Sequence, residues 1–578
     1  MLITALNWIY IFLTAYIIGF FLIPRLSKLI GAGGEIRANW CDNVVCGIVT
    51  ATVYAEAFSL FYKVGLASNL IMILCCSLFV FIDRARLRSL FESRLHLPEG
   101  KVRRIAFILL CLCAAVIFIL ALMFTAEGTF HYDTGLYHAQ SIHWLEDYGI
   151  IKGLGLIHIR FAYNSAYFPL CALYSLRDVM QGQSLHSMSG FLFALMCMYS
   201  FYGWLRSMIK KHPENSAAQV IPSFIRMAPL LYFIICILNI TSPESDYITG
   251  NLIIWVFLRL CEVYEEKKQE DSLSAFCLIS VCAFALIGYK LSAAVIPLIA
   301  LWPLVILVKK KQWRSILVCA LLCALTILPY LARNVMICGW PVYPVTHFDF
   351  FDVPWKFDRA LVRGDAKEIE NWARGLHMEG AVDSSFGAWL KYWWSVQYLG
   401  TQLIVMSLLM SFPLMIFTFF DRKKWFINYL TAVMTATIIF YMIKAPLIRY
   451  CYAPVIIIPL MTGGYITELA LRRSKIALAA ALIAVAVMMA PTVISAKEII
   501  KYDYEESVGR FSPKDHLIRQ IDYPSAKVKE MDWFGYKVYV PVEGDQCWYH
   551  AFPSSPYHEG FDNTMPVSGD LKNGVVKR

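Results

Sequence analysis

One segment rich in ionisable side chains, residues 125–165, interrupts an otherwise apolar chain. It reads TAEGTFHYDTGLYHAQSIHWLEDYGIIKGLGLIHIRFAYNS. Carboxylates can act as general bases, and arginine or histidine side chains can hold a phosphate group or a metal ion. The candidates for such chemistry in this segment are Glu127, His131, Asp133, His138, His143, His158 and Arg160.

Asp133 directly precedes a stretch, residues 134–148, whose apolar spacing suits a helix lying in the membrane interface. Tyr137, Trp144 and Tyr148 would then lie at the level of the lipid headgroups. Asp133 stands at a position typical of a helix N-cap, so its carboxylate could cap this helix. A capping role does not exclude a catalytic one, and both interpretations stay open.

The histidine spacing bears on metal binding. His138 and His143 are five residues apart, which is poor spacing for two ligands on one helix face. His131, Asp133 and His138 could instead converge, so Asp133 and His138 are the candidates for holding a divalent cation. The sequence does not require such a cofactor.

Two short turns add charges near the ends of apolar runs. Residues 241–246 (TSPESD) contain a helix-breaking proline and carry Glu244 and Asp246. Carboxylates near the membrane are costly unless they have a partner, which makes them functional candidates. Lys290 lies alone between two apolar runs and could pair with a phosphate. The alternatives are a solvated turn for the carboxylates and a lysine that extends to the interface.

Further cations occupy the ends of later apolar runs: Arg333, Lys444 and Arg449. The planar guanidinium fork of arginine suits phosphate. Together with the carboxylates, these cations suit an anionic lipid-phosphate substrate and a general base. A transporter would more naturally bury its charges at mid-membrane, and the apolar runs contain almost none.

Long apolar helices must position these residues. Of 578 residues, 58% are hydrophobic and 16% are charged, whereas soluble domains contain about 25% charged residues. The mean hydropathy is +0.56, and the apolar runs have the length that crosses a bilayer as a helix. We predict an all-α polytopic membrane protein with about 14 transmembrane helices, the first retained rather than cleaved as a signal peptide. The predicted spans are 4–24, 42–62, 65–82, 104–125, 186–206, 223–241, 247–264, 272–288, 291–308, 314–332, 400–420, 425–443, 447–470 and 475–495.

Basic residues in the short connecting loops predict the orientation of these spans. Both termini are then extracytoplasmic. The same loops explain the net charge of +10 without a nucleic-acid partner. The loops predicted to be cytoplasmic are 83–103, 207–222, 265–271, 309–313, 421–424 and 471–475.

This topology divides the chain into an N-terminal accessory transmembrane region (1–103), a core transmembrane module (104–332) and C-terminal transmembrane helices (400–495). The long outer segments should be folded, because they are rich in aromatic residues and are not of low complexity. These outer segments are a first loop at 126–185, a second loop at 333–399 and a C-terminal tail at 496–578.

A short apolar stretch and two cysteines also lie in the predicted outer segments. Residues 166–180 are apolar but too short to span, so we expect a re-entrant or interfacial helix. The 17 cysteines fall mostly in apolar runs, as small apolar residues do. Cys338 and Cys547 fall in outer segments, and a bridge between them stays open.

An acidic residue in the first long outer loop of a many-span protein, followed by an interfacial helix, resembles the C-type glycosyltransferase superfamily. Its members use polyprenyl-phosphate-linked sugars on the outer leaflet. They often carry adjacent acidic residues in this loop, whereas Asp133 is followed by Thr134. From about residue 104 onward, the chain is also similar to a family of large bacterial membrane proteins associated with surface polysaccharides. The segments that carry this similarity are YDTGLYHAQSIHWLEDYGIIKGLGLIHIRFAYNS, SPESD, YKLS, RNVMICGWPVYP, DFFDVPWK and DQCWYHAFPSSPY.

The resemblance implies a transferase in the bacterial cell (inner) membrane. It would move a sugar from a polyprenyl-phosphate donor to a glycan, lipid or protein acceptor on the outer leaflet. Asp133 would be the general base, and a divalent ion could bridge it to the phosphate. Glu127, Glu244 and Asp246 are the alternative carboxylates. The implied substrate-binding residues are Arg449, Lys290 and Arg333 for the leaving phosphate, with His131, His138, Arg160 and Lys444 as further contacts.

Two other functions remain alternatives. A surface-polysaccharide polymerase or ligase would share the cations but would not need a carboxylate base. A transporter or flippase would carry charges inside its spans and broken helices in matched halves. Dependence on Asp133 separates the transferase from the polymerase.

Overall fold

The chain is mostly helical, as predicted. The structure is a computed structural model of the chain. It describes residues 1–91, 98–129, 131–209, 219–266, 272–375, 378–421, 424–507 and 516–578.

Among the described residues, the part of the chain up to residue 236 contains ten α-helices. They are α1 (Leu2–Ile30), α2 (Trp40–Ser59), α3 (Leu66–Ile82), α4 (Arg84–Phe91), α5 (Lys101–Thr125), α6 (Ala139–Asp147), α7 (Tyr167–Tyr174), α8 (Met188–Ile209), α9 (Val220–Ile225) and α10 (Met227–Cys236). A π-helical turn, Thr134–His138, leads directly into α6.

The rest of the described chain adds eleven α-helices and four short strands. The helices are α11 (Ser245–Glu266), α12 (Leu273–Tyr289), α13 (Leu301–Lys309), α14 (Trp313–Cys338), α15 (Arg359–Gly375), α16 (Phe386–Val396), α17 (Leu399–Phe420), α18 (Trp425–Lys444), α19 (Tyr452–Leu471), α20 (Lys475–Ser507) and α21 (Glu559–Asp562). Tight 3₁₀ turns, Leu291–Ala300 and Ile448–Cys451, lead into α13 and α19. The strands are β1 (Val528–Trp533), β2 (Tyr536–Pro541), β3 (Thr564–Pro566) and β4 (Val575–Lys577), paired antiparallel as β1–β2 and β3–β4.

Among the described residues, 11 helices are long and apolar enough to cross a membrane, which supports a multi-pass membrane protein. The predicted count of about 14 is not confirmed. The helices α3 and α12 are apolar but have 17 residues each. At a rise of 1.5 Å per residue they fall short of a bilayer core about 30 Å thick. The predicted span 42–62 forms α2, which is not among the 11.

Small residues let the first two helices approach closely. A Cβ atom on Gly19 of α1 would lie 1.8 Å from the backbone oxygen of Asn43, and one on Gly47 of α2 would lie 1.8 Å from that of Ala15. Close helix contact through glycine is typical of packing in lipid, where dispersion contacts must replace the hydrophobic effect.

Ion pairs connect the helix ends that the loop charges assign to one face. Arg25 pairs with Asp83 at 2.8 Å. Lys424 pairs with Glu265 at 2.8 Å. These contacts agree with the predicted alternation of the helices, although which face is cytoplasmic stays a prediction. Several basic residues of the predicted inner loops lie outside the described residues: Arg94, Lys210, Lys211, Lys267, Lys268, Arg422 and Lys423.

The two long loops and the tail are folded against one another and share one hydrophobic core. Trp144 of the first loop, Trp340 and Phe357 of the second, and Val538 and Phe561 of the tail are all buried in it. The headgroup position predicted for Trp144 is therefore wrong, because protein encloses this ring.

Backbone hydrogen bonds add to this docking. The amide of Cys547 donates to the carbonyl oxygen of Gly135 at 2.8 Å, and the amide of Val575 donates to that of Lys152 at 2.7 Å. The tail therefore contacts the segment that carries Asp133.

The structure also describes the apolar segment 166–180 and the two cysteines of the outer segments. Within residues 166–180 the helix α7 has only eight residues, all of them buried, so it is too short to cross a bilayer. Cys338 and Cys547 are buried free thiols in the described part of the chain, and no bridge joins them.

Candidate functional site

A cavity of about 2330 Å³ lies where the two loops and the tail meet the helix ends. Of the residues proposed from the sequence for catalysis or substrate binding, eight line it: His131, Asp133, Arg160, Glu244, Asp246, Lys290, Lys444 and Arg449. The further candidate His158 lines it as well. Side chains that are far apart in sequence therefore line one cavity.

Asp133 faces a cation rather than the end of the following helix. Its backbone is already helical (φ −65°, ψ −23°), and its side chain makes no capping hydrogen bond to any described residue. Instead, Nη2 of Arg449 donates to Oδ2 of Asp133 at 3.0 Å. The capping interpretation of Asp133 is therefore wrong, and the carboxylate belongs to the cavity.

Arg449 and Lys290 hold the carboxylates of the turn 241–246 beside Asp133. Nε of Arg449 lies 3.7 Å from Oδ2 of Asp246. The Lys290 ammonium forms a direct ion pair with Asp246 and lies 3.8 Å from Glu244. Glu244 and Asp246 are each only 4% exposed. Because buried charges are costly without partners, this turn is not the simple solvated turn of the alternative interpretation.

The local charges keep the loop carboxylates ionised. Burial alone would raise the pKa of Asp133, but the charge of Arg449 outweighs it and holds that pKa below its usual value. Burial would likewise raise the pKa of Glu244, yet the charge of Lys290 holds it well below normal. An ionised carboxylate is the form that can accept a proton, although a low pKa makes it a weak base.

The two histidines nearest this group are neutral at pH 7. Burial lowers the pKa of His138 to about 4 and also lowers the pKa of His131. Their rings stack with centroids 6.3 Å apart. The nearest His138 and Glu244 atoms, Nε2 and Oε2, are 3.8 Å apart. His131, His138 and Glu244 can each bring one ligand atom within 4.8 Å of the others, whereas the sequence suggests Asp133 with His138.

A second polar cluster, which the sequence does not predict, also lines the cavity. Asp365 of α15 is 4% exposed. It accepts hydrogen bonds from the hydroxyls of Tyr163 and Tyr343, the latter at 2.7 Å. Arg160 lies 3.3 Å from it. Because α15 reads as an ordinary charged amphipathic helix, its sequence carries no sign that one of its aspartates is buried.

The tail also reaches the cavity, through Asp545, Gln546, Trp548 and Tyr557. Asp545 accepts a hydrogen bond from the Tyr132 hydroxyl. The segment DQCWYHAFPSSPY carries part of the family resemblance. The sequence therefore marks this part of the tail as a candidate, but it does not indicate which of its residues reach the cavity.

Part of the cavity wall is apolar and comes from the helices. Ile235, Phe440, Leu447, Ile448 and Ile499 line it. A cation-rich region therefore continues into an apolar one, as a ligand with a charged head and a hydrocarbon chain requires.

Three of the residues proposed for catalysis or substrate binding do not line the cavity among the described residues: His138, Glu127 and Arg333. His138 is buried beside Glu244, and the other two lie elsewhere in the fold. Glu127 pairs with His516 of the tail at 3.0 Å. Arg333, 2% exposed, donates to Oδ1 of Asn164 at 2.6 Å and to the Ser59 hydroxyl. Both therefore make contacts that join elements of the fold.

The comparisons with known proteins give a family without an assigned activity. Residues 1–456 match the model of the family described as a domain of unknown function, DUF8201, and the chain belongs to that family. No curated protein and no solved structure matches the chain.

Proposed function

We propose that this DUF8201 protein is a membrane glycosyltransferase that transfers a sugar from a polyprenyl-phosphate donor to an acceptor hydroxyl at the outer leaflet. The observation that carries the proposal is the grouping of Asp133, Glu244 and Asp246 with Arg449 and Lys290 at one wall of a cavity that also has an apolar wall.

The cations suit the phosphate of the donor. Arg449 offers a planar fork of donors, and the Lys290 ammonium adds a point charge 3.8 Å from the centroid of the Tyr450 ring. In the transition state, negative charge grows on the leaving phosphate, so fixed positive charges stabilise that state more than the ground state. The polyprenyl chain would lie along the apolar wall.

Asp133 suits the role of general base. The acceptor oxygen attacks the anomeric carbon, the bond between that carbon and the phosphate oxygen breaks, and polyprenyl phosphate leaves with the electron pair. The hydroxyl proton passes to Asp133. A donor phosphate that engages Arg449 would weaken the Asp133–Arg449 ion pair, and the pKa of Asp133 would rise towards its usual value. Donor binding would thereby make Asp133 a better base.

The acceptor would bind between the second polar cluster and the tail. Aromatic faces and carboxylates that can accept hydrogen bonds suit a polyhydroxylated ligand, and Trp548, Tyr557 and Asp545 supply them at the cavity wall.

Purified protein in nanodiscs, incubated with a polyprenyl-phosphate sugar and an acceptor glycan, provides the test. Asp133→Asn keeps the shape of the side chain but cannot accept the proton. We expect turnover to fall by about 10²–10⁴-fold, the contribution typical of a positioned general base.

Asp147→Asn is the matched control. Like Asp133, Asp147 is an aspartate of the first loop that is paired with an arginine, in its case Arg177 at 2.5 Å. Asp147 does not line the cavity among the described residues. Near wild-type turnover of a folded Asp133→Asn protein would reject Asp133 as the base. Glu244→Gln and Asp246→Asn would then be measured in the same assay.

One observation favours a second candidate, a polysaccharide polymerase or ligase. Asp133 is already ion-paired with Arg449, so the carboxylate could serve only to orient that guanidinium. A polymerase of this kind would depend on Arg449 but keep its turnover in Asp133→Asn, whereas the transferase requires both residues.

A further inference from the structure

We infer that His131, His138 and Glu244 form a binding site for one divalent transition-metal ion, of the zinc class, in the wall of the cavity. One ligand atom from each residue lies within 4.8 Å of the other two. Zinc binds imidazole nitrogens and carboxylate oxygens at about 2.0–2.2 Å, so small rotations of these side chains bring them to an ion at their centre.

The histidines have ring nitrogens available for a ligand. His138 is 1% exposed. The Nδ1 atoms of both His131 and His138 are buried and have no hydrogen-bond partner among the described residues. Buried polar atoms are normally satisfied, so each such atom calls for an explanation. A metal ion would satisfy at least one of these rings directly and would fix its tautomer.

The chain positions of the ligands make the cluster three-dimensional. His131 precedes the π-helical turn and His138 ends it, so the widened turn stacks their rings. Glu244 comes from the turn before α11 and approaches from another element. Because the ligands come from two separate elements, the surrounding fold holds them in position, as a structured metal site requires.

The charge of the surroundings also permits a cation. Among the described side chains that pair directly with one another here, three carboxylates, Asp133, Glu244 and Asp246, share two cations, Arg449 and Lys290. Within this paired group the carboxylates outnumber the cations by one, which favours the binding of a metal ion. Nitrogen ligands favour zinc and its neighbours over magnesium or calcium, which prefer oxygen.

The open side of the site faces the cavity. His131 and Glu244 line the cavity, and His138 lies behind them. Two histidines, one carboxylate and a fourth position open to a ligand make the arrangement that zinc enzymes use when the ion contacts substrate. In this respect the inference deepens the proposed function, because the ion would lie beside Arg449, where the donor phosphate would bind. The binding of metal itself does not depend on that function.

Metal binding is measured directly on the full-length protein, purified through a tag without histidine and stripped with a chelator. Zn²⁺ bound per chain is determined by mass spectrometry of the metal, and Co²⁺ is added as a spectroscopic probe. We expect one ion per chain, visible d–d absorption typical of low-coordinate Co²⁺, and a rise in Tm on adding Zn²⁺, since a ligand of the folded state stabilises it.

His138→Ala and His131→Ala test the ligands. We expect each to weaken Zn²⁺ binding by at least about 100-fold, because even substitutions of residues that only support a ligand cost 10–100-fold. His558→Ala is the matched control. His558 is 59% exposed and pairs with Asp562 at 2.7 Å, so it is the obvious surface site for stray metal. The His558→Ala substitution should therefore affect only weak Zn²⁺ binding at the surface.

Loss of the ion in His131→Ala with Tm unchanged in the metal-free state supports the site, even if His138→Ala fails to fold. The inference is overturned if the wild type binds no Zn²⁺ beyond what His558→Ala removes, or if both cavity variants retain it. A protein that binds Zn²⁺ through these residues yet transfers no sugar would keep the metal site and reject the transferase. Sugar transfer by a protein that binds no metal would keep the transferase and reject the metal site.

Discussion

At the scale of single residues, Arg449 is the centre of the site. It lies 3.0 Å from Asp133, 3.7 Å from Asp246 and 3.4 Å from Nε2 of His131. A guanidinium with several acceptors around it is pre-organised to bind one more anion without moving far. This arrangement explains why Asp133 remains ionised in the absence of substrate.

We expect Arg449→Ala to weaken donor binding by about 1.5–3 kcal/mol, the worth of a charge-assisted hydrogen bond. Arg449→Lys should lose less, because it keeps the charge but not the fork. The measurement is the Kd of a polyprenyl-phosphate sugar in nanodiscs.

Arg472→Ala, just beyond the other end of α19 and exposed, is the control for this series. Arg449→Ala leaves the Asp133 carboxylate without its partner and could prevent folding. The double variant Asp133→Asn/Arg449→Ala removes both charges, so donor affinity can still be measured on a folded protein. Equal donor affinity in the wild type and in the folded Ala variants would exclude a phosphate-binding role.

Much of this residue set can be predicted from the sequence, and the reason is physical. Charges are conspicuous in an apolar chain, so the sequence alone singles out Asp133, Lys290 and Arg449. It does not single out Asp365, because the helix that carries this residue is amphipathic and charged throughout. Glu127 and Arg333 are equally conspicuous, yet their contacts join elements of the fold. Conspicuous charge therefore identifies candidates but not their partners.

At the scale of elements, the site depends on how the tail docks on the first loop. The carbonyl oxygen of Gly135 accepts hydrogen bonds from the amides of both Cys547 and Trp548, at 2.8 and 2.9 Å. A Cβ on Gly135 would lie 2.0 Å from Oε1 of Gln546 and 2.9 Å from Cε2 of Trp548. The absence of a side chain at this position is what lets the tail reach the cavity.

Gly135→Ala should therefore loosen the tail. Overpacking of this kind costs typically about 1–3 kcal/mol, and we expect a lower Tm and faster proteolysis within residues 516–578. Gly387→Ala is the control, because this residue is helical and a Cβ atom added to it would have no described atom within 4 Å. If Gly135→Ala matched Gly387→Ala in both measurements, the tail would not depend on this contact.

Sequence periodicity predicts the helix after Asp133, but not the partners of that helix. The interface position predicted for Trp144 is wrong, because the second loop and the tail enclose that ring. Contacts between segments separated by hundreds of residues leave no periodic signal in a single sequence. The two small sheets of the tail, which are held by such contacts, are likewise not predicted.

At the scale of the whole molecule, the proposed reaction requires the cavity to face the outer leaflet. The distribution of lysine and arginine predicts this orientation, and helix ends assigned to one face do meet in ion pairs. Composition and run length suffice to predict a multi-pass helical protein, whereas the number of spans depends on helices near the minimum length.

Cysteine labelling tests the orientation. In spheroplasts, an impermeant thiol reagent should label Glu543→Cys, in the tail, while Lys309→Cys should react only after lysis; both positions are exposed. The unmodified protein controls for its own exposed cysteines at 75, 111 and 113. Labelling of Lys309→Cys before lysis, with Glu543→Cys protected, would invert the topology and place the cavity on the wrong side of the membrane.

The most direct test of the transferase is mass spectrometry of surface glycans and lipid-linked intermediates from cells with the gene, without it, and with only the Asp133→Asn allele. We predict that cells lacking the gene accumulate one polyprenyl-phosphate sugar and that their surface glycan, lipid or protein lacks that sugar. The Asp133→Asn allele should reproduce both changes although its protein is folded and inserted, and the wild-type gene should reverse them. Identical glycans and identical lipid-linked sugars in all three strains would contradict the assignment.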